Sequence, residues 1–196
     1  IVTREQVLAE GIPGGFSTLY DALSSLETLG VCRRGYFIEG LGAAQFATPA
    51  TVDRLRTVAA DLETGLASGD HVPVALTLAA TDPANPFGAA LAWPSTEDRH
   101  GGHRPGRKAG ALVVLVDGRL ALFVERGGKT VLDFLAPEDE AGRSAAATSL
   151  AETIRASGGR LRVEKVDGAF AVGTPLGDAL IAAGFAPTPQ GLRLRG

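Results

Sequence analysis

The run from Gly110 to Phe134 constrains the fold more than any other feature of this sequence. It reads GALVVLV, Asp-Gly, RLALFVER, Gly-Gly and KTVLDF, so two-residue turns separate three segments of β-type residues. Asp-Gly is the pair that type I′ hairpin turns favour, because both central residues need a positive φ. We therefore expect an antiparallel three-stranded meander at the centre of a β-rich domain.

The N-terminal part predicts two helices followed by a hairpin. Thr3 is a good N-cap and Gln6 completes a capping box, so a short helix is expected there. After the turn GIPGG, Ser17 can cap a second helix that stops at Gly30. Residues 31–49 are rich in β-branched and aromatic residues and suggest two strands. This order of elements is the outline of a winged helix, and another amphipathic helix is expected after it, to about Leu66.

From Val72 the periodicity changes to that of strands, which two helices interrupt later in the chain. Beyond the meander, we expect an alanine-rich helix over residues 141–157, an alternating strand over Leu161–Val166 and a short helix over Pro175–Ala183. The final GLRLRG has the alternation of an edge strand.

Together these segments predict an α+β fold class in two domains. The first, residues 1–66, is a winged helix plus the helix that follows it. The second, residues 72–196, is expected to be a small β-barrel-like mixed domain that carries two helices.

Composition limits the classes of function. Cys32 is the only cysteine, so one chain can form neither a disulfide framework nor a cysteine-based zinc site. No apolar run is long enough to span a bilayer and no leader is visible, so we expect a soluble, cytoplasmic protein without membrane contact. The absence of methionine and the initial Ile1 lead us to expect a fragment of a longer chain.

The net charge of −3 means that any contact with nucleic acid must be local. The densest positive stretch is RHGGHRPGRK, which we call the basic loop (residues 99–108). Further cations are predicted at the base of the wing and at the tip of the second hairpin. The candidate DNA-binding residues are Arg33, Arg34, Arg99, Arg104, Arg107, Lys108, Arg126 and Lys129. The alternative for the basic loop is a solvated linker without a DNA contact. The alternative for Arg33 and Arg34 is that they are simply two exposed arginines at the end of a strand.

The second helix of a winged helix usually enters the major groove and needs hydrogen-bond donors there. Here its outward face carries Asp21, Ser24 and Thr28, and no cation. We therefore expect this helix to pack against a neighbouring module or protomer. Trp93 and Phe87 could stack on an unpaired base, although packing over the sheet is the commoner role of a lone tryptophan.

No motif predicts a catalytic residue or a metal site. Gly128-Lys129-Thr130 looks like the end of a phosphate-binding loop, but strands are predicted on both sides, so a hairpin turn is favoured. His100 and His103 could ligate a metal together with Asp98, but the basic surroundings favour a solvated loop. Turn chemistry explains the Asp-Gly pairs at Asp117 and Asp167 without catalysis.

Three stretches resemble the C-terminal region of Lhr (large helicase-related) proteins: CRRGYFIEGLGAAQFATPATVDRLR, ATDPANPFGAALAWP and HRPGRKAGALVVLVDGRLALFVERGG. The resemblance covers roughly residues 30–128. It implies a parent ATP-dependent DNA helicase linked to DNA repair, with several winged helices and a β-barrel module after the motor. The helicase motifs would lie upstream, so ATP and Mg²⁺ belong to the parent motor and no cofactor is expected in this fragment.

The architecture is also similar to winged-helix alkylpurine DNA glycosylases. That resemblance implies that the enzyme uses a string of three residues: a glutamine, an apolar residue and then a second glutamine or an aspartate. Here the corresponding string is Gln45-Phe46-Ala47, which lacks the second polar residue and so speaks against base excision.

We therefore expect a non-motor region that binds single-stranded or tailed DNA, the upstream helicase core or a second copy of the chain. Whether the fragment is itself an enzyme stays open. The alternatives are a glycosylase-like base-excision module and an oligomerisation module without DNA contact.

Overall fold

The computed structural model describes residues 1–42, 44–95 and 102–196. These residues divide into two units, and each unit takes two segments of the chain. The first unit is Ile1–His71 with Pro86–Ala92, and the second is Val72–Asn85 with Trp93–Gly196. Across the described ranges, no helix has the length and apolar character that crossing a membrane requires.

The first unit has the order of elements that the sequence predicted. Its elements are α1 (Arg4–Ala9), α2 (Gly15–Thr28), β1 (Arg33–Gly35), β2 (Gln45–Ala47) and α3 (Pro49–Ser68). Thr3 caps α1 because its Oγ1 accepts a hydrogen bond from the Gln6 amide at 3.1 Å. The capping box is only half formed, since the Gln6 side chain donates to Glu10 instead.

Phe46 is the centre of the first unit. It is 1% exposed, pairs across the antiparallel ladder with Arg34, and forms a bridge with Val2 on its other side. The rings of Phe16 and Tyr20 lie 6.4 Å and 6.0 Å from the Phe46 ring, centroid to centroid. Aromatic packing therefore attaches α2 to the small sheet.

The apolar stripe predicted on α3 is mostly exposed within this unit. Val52 is the one residue of α3 in the buried class. Leu55, Val58 and Leu66 are 38%, 58% and 61% exposed. The helix forms because Thr48 caps it and Pro49 occupies its first turn, not because its face is buried in the unit.

The larger sheet of the second unit contains the predicted meander. Its six strands, in spatial order, are β3 (Ala75–Ala79), β4 (Leu112–Val116), β5 (Arg119–Val124), β6 (Thr130–Asp133), β8 (Lys165–Val166) and β9 (Ala169–Phe170). Asp117 and Gly118 both have positive φ, 49° and 77°, as the predicted type I′ turn requires. Every pair is antiparallel except β6 with β8.

A second sheet has three strands, in the order β10 (Ala186–Thr188), β11 (Gly191–Arg195) and β7 (Arg160–Val163). It corrects two predictions. The segment Leu161–Val166 is not one strand, because β7 ends at Val163 and β8 belongs to the larger sheet. The terminal GLRLRG is not an edge strand, since β11 lies between β10 and β7.

Two helices, α4 (Glu140–Ala156) and α5 (Pro175–Ala182), pack over these sheets, as predicted. The buried face of α4 is mainly alanine with Leu150, so the helix can approach the sheets closely. At Gly177 in α5, a Cβ would stand 1.9 Å from the Ala171 carbonyl oxygen, so only glycine fits. The class is therefore mixed α and β, as predicted. The barrel-like closure is unconfirmed, because the larger sheet ends at β3 and β9, which do not pair.

Candidate nucleic-acid interface

Arg34, at the base of the wing, is bound inside the first unit. Its Nε and Nη2 donate to Glu27 Oε2, with the Nε bond at 3.0 Å, and its Nη1 donates to the Tyr20 hydroxyl at 2.7 Å. The guanidinium also lies 5.5 Å from the ring centroids of Tyr20 and Phe46. The hydrogen bond from Arg34 lowers the pKa of Glu27, and the same bond raises the pKa of Arg34.

Arg33, its neighbour on β1, is exposed. The ion pairs of the described residues include Arg34 but not Arg33. Of the two wing arginines, Arg33 therefore keeps its charge available for a partner.

Helix α2 has the lack of positive charge that the sequence showed. It contains Asp21 and Glu27 but no cation, and no residue in it reaches the buried class. Leu26 and the following Leu29 are 38% and 75% exposed. This helix therefore offers an acidic and partly apolar surface, which is unsuited to phosphate.

Within the basic loop, Arg107 is committed to the fold. Its guanidinium donates to the carbonyl oxygens of Asn85 at 2.7 Å, Asp82 at 3.0 Å and Thr81 at 3.2 Å. These bonds fasten the loop to the turn after β3. Arg104 and Lys108 are exposed, and Arg99 lies outside the described residues.

His103 of this loop pairs with a carboxylate. His103 Nδ1 lies 2.9 Å from Glu125 Oε1 at the end of β5. The predicted metal partners Asp98 and His100 lie outside the described residues. Among the residues that are described, no group of three His, Cys, Asp or Glu side chains could hold a metal ion.

Trp93 and Phe87 have packing roles. Trp93 meets Phe123 of β5 edge to face at 5.7 Å, which is the alternative that the sequence favoured. Phe87 is 9% exposed and belongs to the first unit. Trp93 also lines an open hollow of about 480 Å³ with His103 and Arg104.

Arg126 and Lys129 flank the Gly127-Gly128 turn, where both glycines have positive φ. Arg126 is exposed and is absent from the ion pairs of the described residues. Lys129 is 62% exposed and its Nζ lies 3.4 Å from Glu164 Oε1. Strand β6 begins at Thr130, within the Gly-Lys-Thr string, where a phosphate-binding loop would begin a helix, so this string belongs to a hairpin turn and does not fit a nucleoside triphosphate.

Gln45 is fully buried and all its hydrogen-bonding groups are used. Its Oε1 accepts from the amides of Phe37 and Ile38 at 2.9 Å and 2.8 Å. Its Nε2 donates to the Ile38 carbonyl at 2.9 Å and to Gly42 at 3.4 Å. Gln45 therefore fixes the backbone of the wing and has no free group for a base or a water.

Residues 1–67 match a family model described as the winged-helix domain of large helicase-related protein. They form a winged helix of the Lhr type. The resemblance to Lhr proteins that the sequence suggested is thus confirmed.

Two curated Lhr relatives match all or nearly all of the chain. "Lhr helicase/probable uracil glycosylase" of Mycolicibacterium smegmatis is 48% identical over 205 residues, covering 100% of this chain and 13% of that protein. "Lhr helicase/uracil glycosylase" of Escherichia coli is 41% identical over 199 residues, covering 98% of this chain and 12% of that protein. The chain therefore spans only about an eighth of the length of these relatives.

The second unit carries a cluster of cations that the sequence analysis missed. It lies outside residues 1–67, which the family model matches. Strands β7 and β11 of the second unit place four arginines side by side: Arg160, Arg162, Arg193 and Arg195. The signal was present as the alternating strings RLRV and LRLR. Recognising it required the pairing of two strands that are distant in sequence.

Proposed function

We propose that this chain is the non-motor C-terminal region of an Lhr-type ATP-dependent DNA helicase that acts in DNA repair. It binds DNA through cations of its second unit and thereby helps to place the upstream motor. The observation that carries this proposal is the exposure of Arg104, Lys108 and Arg126, none of which takes part in an ion pair of the described residues. ATP and Mg²⁺ act in the motor.

Charge distribution supports this division of work. The winged helix would ordinarily read DNA through α2, but α2 carries two acids and no base. Arg34 is neutralised by Glu27, and Arg107 is held by carbonyl oxygens. The exposed cations Arg104, Lys108 and Arg126 are left to contact phosphate. Such contacts position a DNA backbone and carry little sequence preference.

The test is a salt titration of DNA binding by the whole chain. The triple variant R104A/K108A/R126A removes three exposed cations, so the slope of log K against log salt for a tailed duplex should fall by about 2 to 3. The control is R4A/R54A/R56A, which removes three exposed arginines of the first unit and should bind like the parent. Salt-independent binding, or equal losses in both triples, would overturn the proposal.

The exposed aliphatic face of α3 supports an assembly role beside DNA binding. Exposure of these apolar side chains to water is unfavourable, so the face formed by Leu55, Val58 and Leu66 is suited to a protein partner. The upstream part of the helicase and a second copy of this chain are the two candidates. Light scattering separates them, because self-association predicts a defined oligomer of the isolated chain that L55S/V58S dissociates.

Base excision is the second candidate activity, and only the names of the two relatives favour it. A cavity of about 270 Å³ in the second unit is lined by the carboxylates Asp133 and Asp167. Both oxygens of Asp133 are engaged, Oδ1 by the Leu135 amide at 2.9 Å and Oδ2 by Arg143 at 2.8 Å. Asp167 Oδ1 accepts from the Asp133 amide at 3.0 Å. Incubation with uracil-containing DNA tests this candidate, since a glycosylase would leave abasic sites.

A further inference from the structure

The four arginines of β7 and β11 share one face of the three-stranded sheet. Arg162 lies directly opposite Arg193, and Arg160 directly opposite Arg195. The residues that alternate with them are buried: Leu161, Val163, Leu192 and Leu194. Because successive strand residues point to opposite faces, all four guanidinium groups lie on the solvent side. We call this surface the arginine face.

Such a face is costly unless an anion covers it. Like charges directly opposite each other destabilise an antiparallel pair. Arg162 is balanced by Glu164 at 2.9 Å and donates to Gln190 Oε1 at 2.7 Å. In the part of the chain that the structure describes, no ion pair includes Arg160, Arg193 or Arg195. Among the described ion pairs, Arg162 is therefore the one arginine of the four with a carboxylate partner, and it shares Glu164 with Lys129.

The arginine face is concave. Arg160, Arg162 and Arg193 line an open hollow of about 490 Å³ together with Gln190. Arg162 and Gln190 also line a second hollow, of about 500 Å³, whose other lining residues are Lys129, Glu164, Lys165 and Phe170. The two hollows are therefore neighbours that share Arg162 and Gln190.

The second hollow is lined by an aromatic ring. Phe170 of β9 is 52% exposed, and its strand neighbour across the ladder is Lys165. The ring shares the second hollow with the cations Lys129, Arg162 and Lys165. An aromatic ring beside cations can bind a base whose face is not covered in a paired duplex.

From this geometry we propose that the arginine face binds single-stranded DNA, with the arginines on consecutive phosphates and Phe170 stacked on an unpaired base. Guanidinium groups hold phosphate through paired hydrogen bonds. The two arginine pairs are about 7 Å apart along the strands, so each pair can hold a separate phosphate. This inference rests on the DNA-binding part of the proposed function and adds a second surface and a strand preference.

The first arm of the test removes charge from the face in the whole chain. R160Q/R193Q/R195Q should reduce the salt slope for a labelled 20-nucleotide thymidine strand by about 2. The control is R104A/K108A/R126A from the basic loop and the hairpin tip. Binding of the strand unchanged by the glutamine triple, with loss in the control, overturns this inference and leaves the proposed function standing. No binding by the parent chain at any salt overturns both.

The second arm isolates the ring. F170A should weaken binding of the thymidine strand by about tenfold, while an abasic strand of equal length should bind equally to F170A and to the parent. Equal losses on both strands, or an equal loss on blunt duplex, would contradict stacking on an unpaired base. This arm also decides the matter should the triple variant fail to fold, because β9 is exposed at the end of its sheet.

Discussion

The side-chain amide of Gln45 pairs with the peptide group of Ile38 in both directions, accepting from its amide at 2.8 Å and donating to its carbonyl at 2.9 Å. The side chain thus replaces the missing backbone partner of a wing segment that is not itself in the two-stranded sheet. Because Gln45 is 0% exposed, water cannot take over these bonds.

Replacing Gln45 with alanine should destabilise the chain by about 1–3 kcal/mol, because the amides of Phe37 and Ile38 lose their acceptor. Urea unfolding measures the change in the free energy of unfolding. The control is E39A, a change at an exposed position of the same wing. Equal stability of Q45A and E39A would show that the wing does not depend on this amide.

Arg143 and Asp133 form a buried ion pair in the second unit. Their side chains are 5% and 11% exposed, and Arg143 also donates to the carbonyl oxygen of Ala136 at 2.9 Å. Changing Arg143 to leucine leaves a buried carboxylate without its partner, so we expect a loss of about 3–5 kcal/mol in unfolding experiments.

The double variant D133N/R143L provides the check on that prediction. It removes the uncompensated charge, so it should be more stable than R143L alone. If D133N/R143L is less stable than R143L, the unpaired charge of Asp133 is not what destabilises R143L.

The stability of the first unit should depend on acid through Glu27. Its pKa is lowered in the folded state by the hydrogen bond from Arg34. The stabilisation is therefore complete above the ordinary glutamate pKa and is lost as the pH falls through the lowered value. In R34A, carbon NMR of the Glu27 carboxyl should show the pKa moving up toward its ordinary value.

R33A is the matched control for this titration. Arg33 precedes Arg34 on β1 but is absent from the ion pairs of the described residues, so its removal should leave the Glu27 titration nearly unchanged. A similar movement in both variants would assign the shift to general charge instead of the Arg34 contact.

Gly191 should not tolerate a side chain. Its φ is +120°, and a Cβ there would stand 2.2 Å from the Val163 carbonyl oxygen across the β11–β7 ladder. Gly158 has φ +61° but open space around its Cβ position. Thermal unfolding should therefore show a loss of about 1–2 kcal/mol for G158A and a further ~1–3 kcal/mol for G191A from the clash. Equal losses of stability in G158A and G191A would show that the close approach of the Val163 carbonyl does not add to the cost at Gly191.

The sequence predicted those parts of the fold that depend on neighbours in the chain. The meander of β4, β5 and β6 follows from alternation and from the Asp117-Gly118 turn, which are local signals. Helices α4 and α5 were placed within a residue or two for the same reason.

Long-range pairing explains the failures. Nothing local shows that the strand around Glu164 divides, because the division comes from a distant group: the amides of Glu164 and Lys165 both donate to the Lys129 carbonyl, at 2.8 Å and 2.9 Å. The central place of β11 likewise depends on β7, some thirty residues earlier. The arginine face was missed for that reason.

The candidate site was predicted only as a distribution of charge. Sequence identified the exposed Arg104 and Lys108, but it could not show that Glu27 neutralises Arg34 or that carbonyl oxygens hold Arg107. Those contacts depend on which side chains the fold brings within about 3 Å.

The division at Glu164 makes one short stretch of backbone a member of both sheets. A register shift in one sheet would force a shift in the other, because the four residues of β7 before Glu164 and the two residues of β8 after it pair in different sheets. An insertion at this point would therefore disturb both sheets, and in hydrogen exchange the amides on either side should open in a single cooperative event.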